Sequence, residues 1–77
     1  MTNENPTRTA LRERGITLQQ VADSLGRNRA TVHNAIHGIS LSRRVLDKVD
    51  ALIGWQPGTA RENARTEREQ RYKEAQQ

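Results

Sequence analysis

Between Gly26 and Gly38 the segment GRNRATVHNAIHG sets His33, His37, Asn28, Asn34, Arg27 and Arg29 among small apolar residues. Three chemistries use side chains of these types. His33 and His37, four apart, share one side of a helix, as the first two ligands of an H-E-x-x-H zinc site do. Here the segment reads HNAIH, without the glutamate base, without cysteine anywhere in the chain and without an obvious third ligand. No metal is expected. Catalysis fails on similar grounds: there is no glycine-rich phosphate loop and no nucleophile–base arrangement, and a chain of this size offers no room for a deep cleft. Enzymatic activity, a cofactor and a small-molecule ligand are therefore not expected. The remaining use is hydrogen bonding to base edges and phosphates, which arginine forks and asparagine amides match in geometry.

The whole chain favours that third use. Its 77 residues make at most one domain. Without cysteine, disulfides and thiolate metal sites are excluded. A formal net charge of +4 favours a polyanionic partner, although the same charge also serves simply to keep a small protein soluble. One Trp, one Tyr and no Phe leave little to stack on unpaired bases, so a duplex is the expected nucleic acid. No apolar run approaches the ~18 residues of a membrane span. The opening MTNENPTRTA lacks the basic-then-apolar order of a secretory signal. The expectation is a cytoplasmic protein, nucleoid-associated in a bacterial host, with no membrane partner.

Helix punctuation supplies the elements that must carry these side chains, and strand signals are nearly absent. Asn5-Pro6 opens a first helix that Gly15 closes. Thr17-Leu18-Gln19-Gln20 fits a capping box, predicting a second helix from Leu18 to Leu25 that stops at Gly26. Asn28 caps a third over 29–37, with Gly38 ending it in a left-handed conformation. Ser42 caps a fourth from Arg43 to Ile53, closed by Gly54; Val45, Leu46, Val49, Leu52 and Ile53 form its apolar stripe, with Arg44, Asp47, Lys48 and Asp50 outside. From Thr59 onward the chain reads as a solvated charged helix, frayed or ordered only against a partner. The expected fold is all-α, four compact helices and a charged fifth.

Drawn as a wheel, the third helix segregates its residues. Val32, Ala35 and Ile36 fall within about 100° of one another, while Arg29, Ala30, His33, Asn34 and His37 share an opposite arc of about 140°. Thr31 lies at the edge of the apolar face. The second helix presents Leu18, Val21, Ala22 and Leu25 on one face, and Ala22 is small enough to let the next helix approach closely. The link Gly26-Arg27-Asn28 is too short for a comfortable antiparallel pair and suits two helices crossing steeply, as in a helix-turn-helix. The second helix of such a pair offers its outer face to the DNA major groove.

These residues carry a resemblance. IT-LQQVADSLGRNRATVHNAIHGIS resembles the helix-turn-helix of the lambda-repressor-like (Cro/CI, or XRE) family, in the Thr17 cap, Val21-Ala22, Gly26, the Thr31-Val32 pair and the closing Gly38. The VAD-x-x-G step is especially close to that of phage repressors, and the likeness extends over residues 8 to 56, through Leu46 to Leu52 and LIGW. It implies an N-terminal arm over 1–5, a helix-turn-helix domain over 6–56 and a charged helix or tail over 57–77. One departure is Leu18, where the family often carries a phosphate-gripping Gln; here core packing is the expected role. Phosphate contact at that helix end then falls to Thr17, Gln19 and backbone N–H groups, aided by the helix dipole.

Site roles follow from the residue types and the resemblance together. Arg29 is the first choice for reading a base, bidentate on guanine O6 and N7, a contact contributing about 1–3 kcal/mol of discrimination; the plainer reading is a solvated arginine. Ala30 suits a thymine methyl. Asn34 suits adenine N6 and N7, and His33 a guanine or a phosphate. Arg27 and His37, at the two helix ends, suit the DNA backbone. Asn28 reads first as a cap, with a phosphate contact possible alongside. Arg43 and Arg44 stand at a helix start, where cations are slightly unfavourable, which points to a ligand charge.

The resemblance implies a transcriptional regulator of phage or prophage type, binding double-stranded DNA as a homodimer on a near-palindrome and repressing by occupying promoter DNA. Trp55, Ala60 and Ala64 are candidates for the dimer face, against a plainer reading of Trp55 as a seal on the core. A rival from another class is an antitoxin that binds DNA and neutralises a partner toxin through the charged segment from Arg61 to Gln77. A third is an architectural or excision factor, whose usual apolar wedge is not evident.

Overall fold

A computed structural model of the chain describes residues 5–75. Each helix begins or ends where a side chain or a glycine satisfies the orphan backbone groups of its terminus. The order is α1 (Pro6–Glu13), α2 (Leu18–Leu25), α3 (Arg29–Ile36), α4 (Arg43–Ile53) and α5 (Thr59–Ala75), with no strand among the described residues. The Cα radius of gyration is 12.0 Å, close to the ~11.5 Å of a compact chain of this length. Bounds of α2 and α4 match the punctuation, whereas α3 gives way to a turn at His37, one residue early. The expected arm over 1–5 lies outside the described residues except for Asn5.

Asn5 is built into the fold. Its Oδ1 accepts from the N–H groups of Thr7 (2.9 Å) and Arg8 (3.1 Å), capping α1. Its Nδ2 donates to the carbonyl of Ile36 at 3.1 Å, at the far end of α3. One buried amide therefore starts the first helix and fixes the end of the third. Asn5→Ala is expected to lower stability by about 1–2 kcal/mol, the loss of a cap plus an orphaned carbonyl. Thermal unfolding measures this, and an unchanged melting temperature would count against the link between α1 and α3.

The core is aliphatic and small. Leu11 of α1, Leu18, Val21 and Ala22 of α2, and Val32, Ala35 and Ile36 of α3 are buried. So are Val45, Leu46, Val49 and Ile53 of α4, while Trp55, Leu25 and Leu52 pack at the margin. Each fully buried Val, Leu or Ile contributes about 1.5–3 kcal/mol. Ala22 is completely buried and lets α2 and α3 lie close, as its size implies. Leu18 is buried too, so it packs in the core.

Three expectations need correction. Ser42 stands at the N-cap of α4 but makes no side-chain cap bond. Asp50, read as an outward residue, is only 2% exposed. Its Oδ2 accepts from Gly58 N–H at 2.9 Å and its Oδ1 from Ala60 N–H at 2.8 Å, so it caps α5 from a distance. The carbonyl of the same residue accepts from Gly54 and Trp55, closing α4. The third correction concerns α5 itself. Ala60 and Ala64 are fully buried, so the helix docks on the body and its first half belongs to the core. Ala60 and Ala64 are therefore not free to form a dimer face.

Candidate nucleic-acid interface

The turn into α3 is set by Gly26, whose φ of +65° lets its N–H reach back to Asp23 O at 3.3 Å while Arg27 N–H reaches Ala22 O at 2.9 Å. Asn28 then caps α3: its Oδ1 accepts from Thr31 N–H at 2.9 Å and from the Thr31 hydroxyl at 2.8 Å. At the other end Ile39 N–H donates to Asn34 O at 2.9 Å. With Val32, Ala35 and Ile36 buried beneath it, α3 is held at both ends and along one side. Arg27, Asn28, Arg29 and Ala30 are exposed, and His33 and Asn34 are half-buried on the flank. Because the cap uses only the oxygen of Asn28, its amide nitrogen is left to donate to a phosphate.

A groove runs beside the start of α3, lined by Thr17, Gln19 and Arg29 together with Arg8 and Arg12 of α1. Thr17 accepts from Gln20 N–H at 3.1 Å, and Gln20 Oε1 accepts from Thr17 N–H at 2.8 Å. The capping box thus occupies an acceptor site of the Thr17 hydroxyl and leaves its proton to donate. Gln19 gives one amide N–H to Asp23 Oδ1 at 2.8 Å and keeps the other to donate. First-turn N–H groups of α2 have no intrahelical acceptor and carry the positive end of its dipole. Arg8 and Arg29 beside them make this groove cationic on that side.

Arg8 and Arg12 were not singled out from the sequence. On α1 alone they read as an i,i+4 pair flanking Leu11; only the folded chain, with α1 packed on α4 and α5, brings them into one groove with Arg29. Arg43 and Arg44 lie outside this groove, exposed on the first turn of α4. The uncapped start of α4 and these two arginines form a second cationic position, separate from the first.

His37 departs from the exposed arc. Its Nδ1 lies 3.3 Å from Glu67 Oε1 on α5, and since a carboxylate only accepts, this bond places the proton on Nδ1. Nε2 is buried without a partner. Neither ring nitrogen is open to a phosphate, so the backbone contact expected of His37 is withdrawn: the side chain holds α3 to α5. The His33 ring lies against it, with centroids 4.3 Å apart and a 38° tilt. Among the described residues, no group of three or more His, Cys, Asp or Glu is placed to hold a metal ion.

The arrangement presents an exposed helix face led by Arg29, with cationic helix starts on neighbouring elements. Among the described residues no helix is long and apolar enough to cross a membrane. Compared with known proteins, the chain matches no family model, no curated protein and no solved structure.

Proposed function

We propose that this chain is a sequence-specific double-stranded-DNA-binding regulator with a lambda-repressor-like helix-turn-helix, of phage or prophage repressor or Cro type. The observation that carries the reading is the outer face of α3: Arg29 and Ala30 stand exposed at its start while the opposite face is sealed in the core. In this reading α3 enters the major groove. Arg29 reads guanine, Ala30 meets a thymine methyl, and Asn34 and His33 reach bases one turn along. Phosphates on one side rest on Thr17, the start of α2 and Arg8. On the other side they meet Arg43 and Arg44, with Arg27 and Asn28 at the turn. Such contacts fix register without reading sequence. Repression follows from occupying promoter DNA.

Two variants separate the roles. Arg29→Ala is expected to relax preference at particular base pairs, a loss of about 1–3 kcal/mol confined to cognate sites. Arg44→Ala is expected to weaken all duplexes alike and flatten the salt slope by about one. Binding titrations over a range of salt, on duplexes selected from random sequence, test both. Uniform loss in both variants would remove Arg29 from base reading, and selection that enriches no sequence at all would overturn the proposal. Stoichiometry on the selected duplex decides whether a homodimer occupies a near-palindrome.

A further inference from the structure

The flank of α5 that faces the α3–α4 loop carries side chains whose charged and aromatic ends the proposed DNA contacts do not use. Arg61, Arg65, Arg68 and Tyr72 follow one another at helical spacing, so they form a single stripe over three turns, about 16 Å long. With Leu41 of the α3–α4 loop and Lys73 they line one open groove, in which Glu69 is the sole carboxylate. Tyr72 is 67% exposed and Ile39, in the same loop, 57%. The groove therefore has an apolar floor, Leu41 and Tyr72, and a cationic wall.

We infer that this groove docks an acidic amphipathic segment of another protein. An aliphatic or aromatic side chain of the segment sits between Leu41 and Tyr72, and its carboxylates pair with Arg61, Arg65 and Arg68. Arginine and tyrosine dominate the residues that anchor protein interfaces, and guanidinium forks pair with carboxylates bidentately. A second copy of this chain is disfavoured by charge, because a two-fold contact would set the same arginines against each other. A duplex would satisfy the arginines but leave the apolar floor uncovered, since phosphates offer nothing to fill it. The inference is independent of the DNA reading, with which the groove shares no residue.

The probe is a synthetic peptide of about 15 residues, long enough to follow the stripe, rich in glutamate with leucines at helical spacing. A control peptide replaces each leucine by serine at unchanged charge. Amide shifts of the full-length chain are followed by NMR at near-physiological salt. The expected result is saturable binding in about the tens of micromolar, with shifts at Leu41 and along Arg61 to Lys73, and affinity about tenfold lower for the serine control. Paired Arg61→Glu and Arg65→Glu changes are expected to remove binding; both sites are exposed, and a glutamate at 61 suits the first turn of α5. Tyr72→Ala, which leaves the charge intact, is expected to weaken it about tenfold. Duplex binding by Tyr72→Ala should be unchanged, and the paired charge reversal, which takes the net charge from +4 to 0, should keep its sequence preference. No saturable binding, or equal binding of the serine control, overturns the inference. So does a loss of duplex affinity on paired Arg61→Gln and Arg65→Gln changes as large as that of Arg44→Ala, which would make the stripe a nucleic-acid contact. Concentration-dependent dimerisation through the same resonances would assign the face to a second copy and overturn it equally.

Discussion

Gly38→Ala is expected to lower stability by about 3 kcal/mol or more, a fall in melting temperature of about 15 °C for a domain of this size. Gly38 has a φ of +73°, a conformation that disfavours any side chain by about 1–2 kcal/mol. The larger part is steric. A Cβ there would collide with the carbonyl oxygen of Ala64 and approach the Cβ of Arg68 to 2.9 Å. Neither obstacle rotates aside: one is backbone and the other is the root of a side chain. The helix must move as a body, uncovering Ala60 and Ala64 and parting His37 from Glu67. Gly26→Ala is the control, since its φ of +65° carries the same backbone strain with nothing within 4 Å of the added carbon. It is expected to cost only about 1–2 kcal/mol. Chemical denaturation of both variants measures the difference, and equal losses would show that α5 does not rest on the α3–α4 loop.

Why the docking of α5 escaped the sequence follows from the same contact. Ala60 and Ala64 sit in a strongly charged segment, and alanine at helical spacing is as well explained by helix propensity as by burial. The close approach needs a small residue on each side, Gly38 and Ala64, and sequence does not say that these two meet. Asp50 was missed for a related reason. On the α4 wheel it lies only about 40° from Leu46, yet a charged residue at the edge of an apolar stripe reads as solvated until its partners are known. His37 sits within the polar arc of α3, and only Glu67 on α5 reveals which way its ring turns. Local signals fared better. The Thr17–Gln20 capping box, the Asn28 cap and the positive-φ glycines at 26, 38 and 54 are satisfied within a few residues, and they mark the helix ends correctly.

Asp50→Ala is expected to cost about 2–3 kcal/mol, because it leaves the Ala60 N–H without an acceptor in a buried setting and that of Gly58 without one in a partly buried setting. A carboxylate is suited to this place for two reasons. It accepts two bonds at once through separate oxygens, and its charge faces the positive end of α5. Asp50→Asn tests the pairing: the amide keeps one acceptor but turns an NH2 group toward the other backbone N–H, so about half the effect is expected. Asp47→Ala, an exposed position on the same helix, should fall within about 0.5 kcal/mol of the parent. Hydrogen exchange distinguishes a local from a global effect. If Asp50 holds only the junction, amides from Gly58 through Ala64 lose protection while those of α2 and α3 keep theirs. Because Ala60 and Ala64 complete the core over α3 and α4, the expectation is the opposite, a loss of protection shared by all five helices. A melt that leaves α1 to α4 folded after α5 is released would place the boundary of the cooperative unit before residue 58 and reduce α5 to an appendage. The buried carboxylate argues against that outcome: α4 and α5 are joined through one residue, whose carbonyl closes the first helix and whose side chain opens the second.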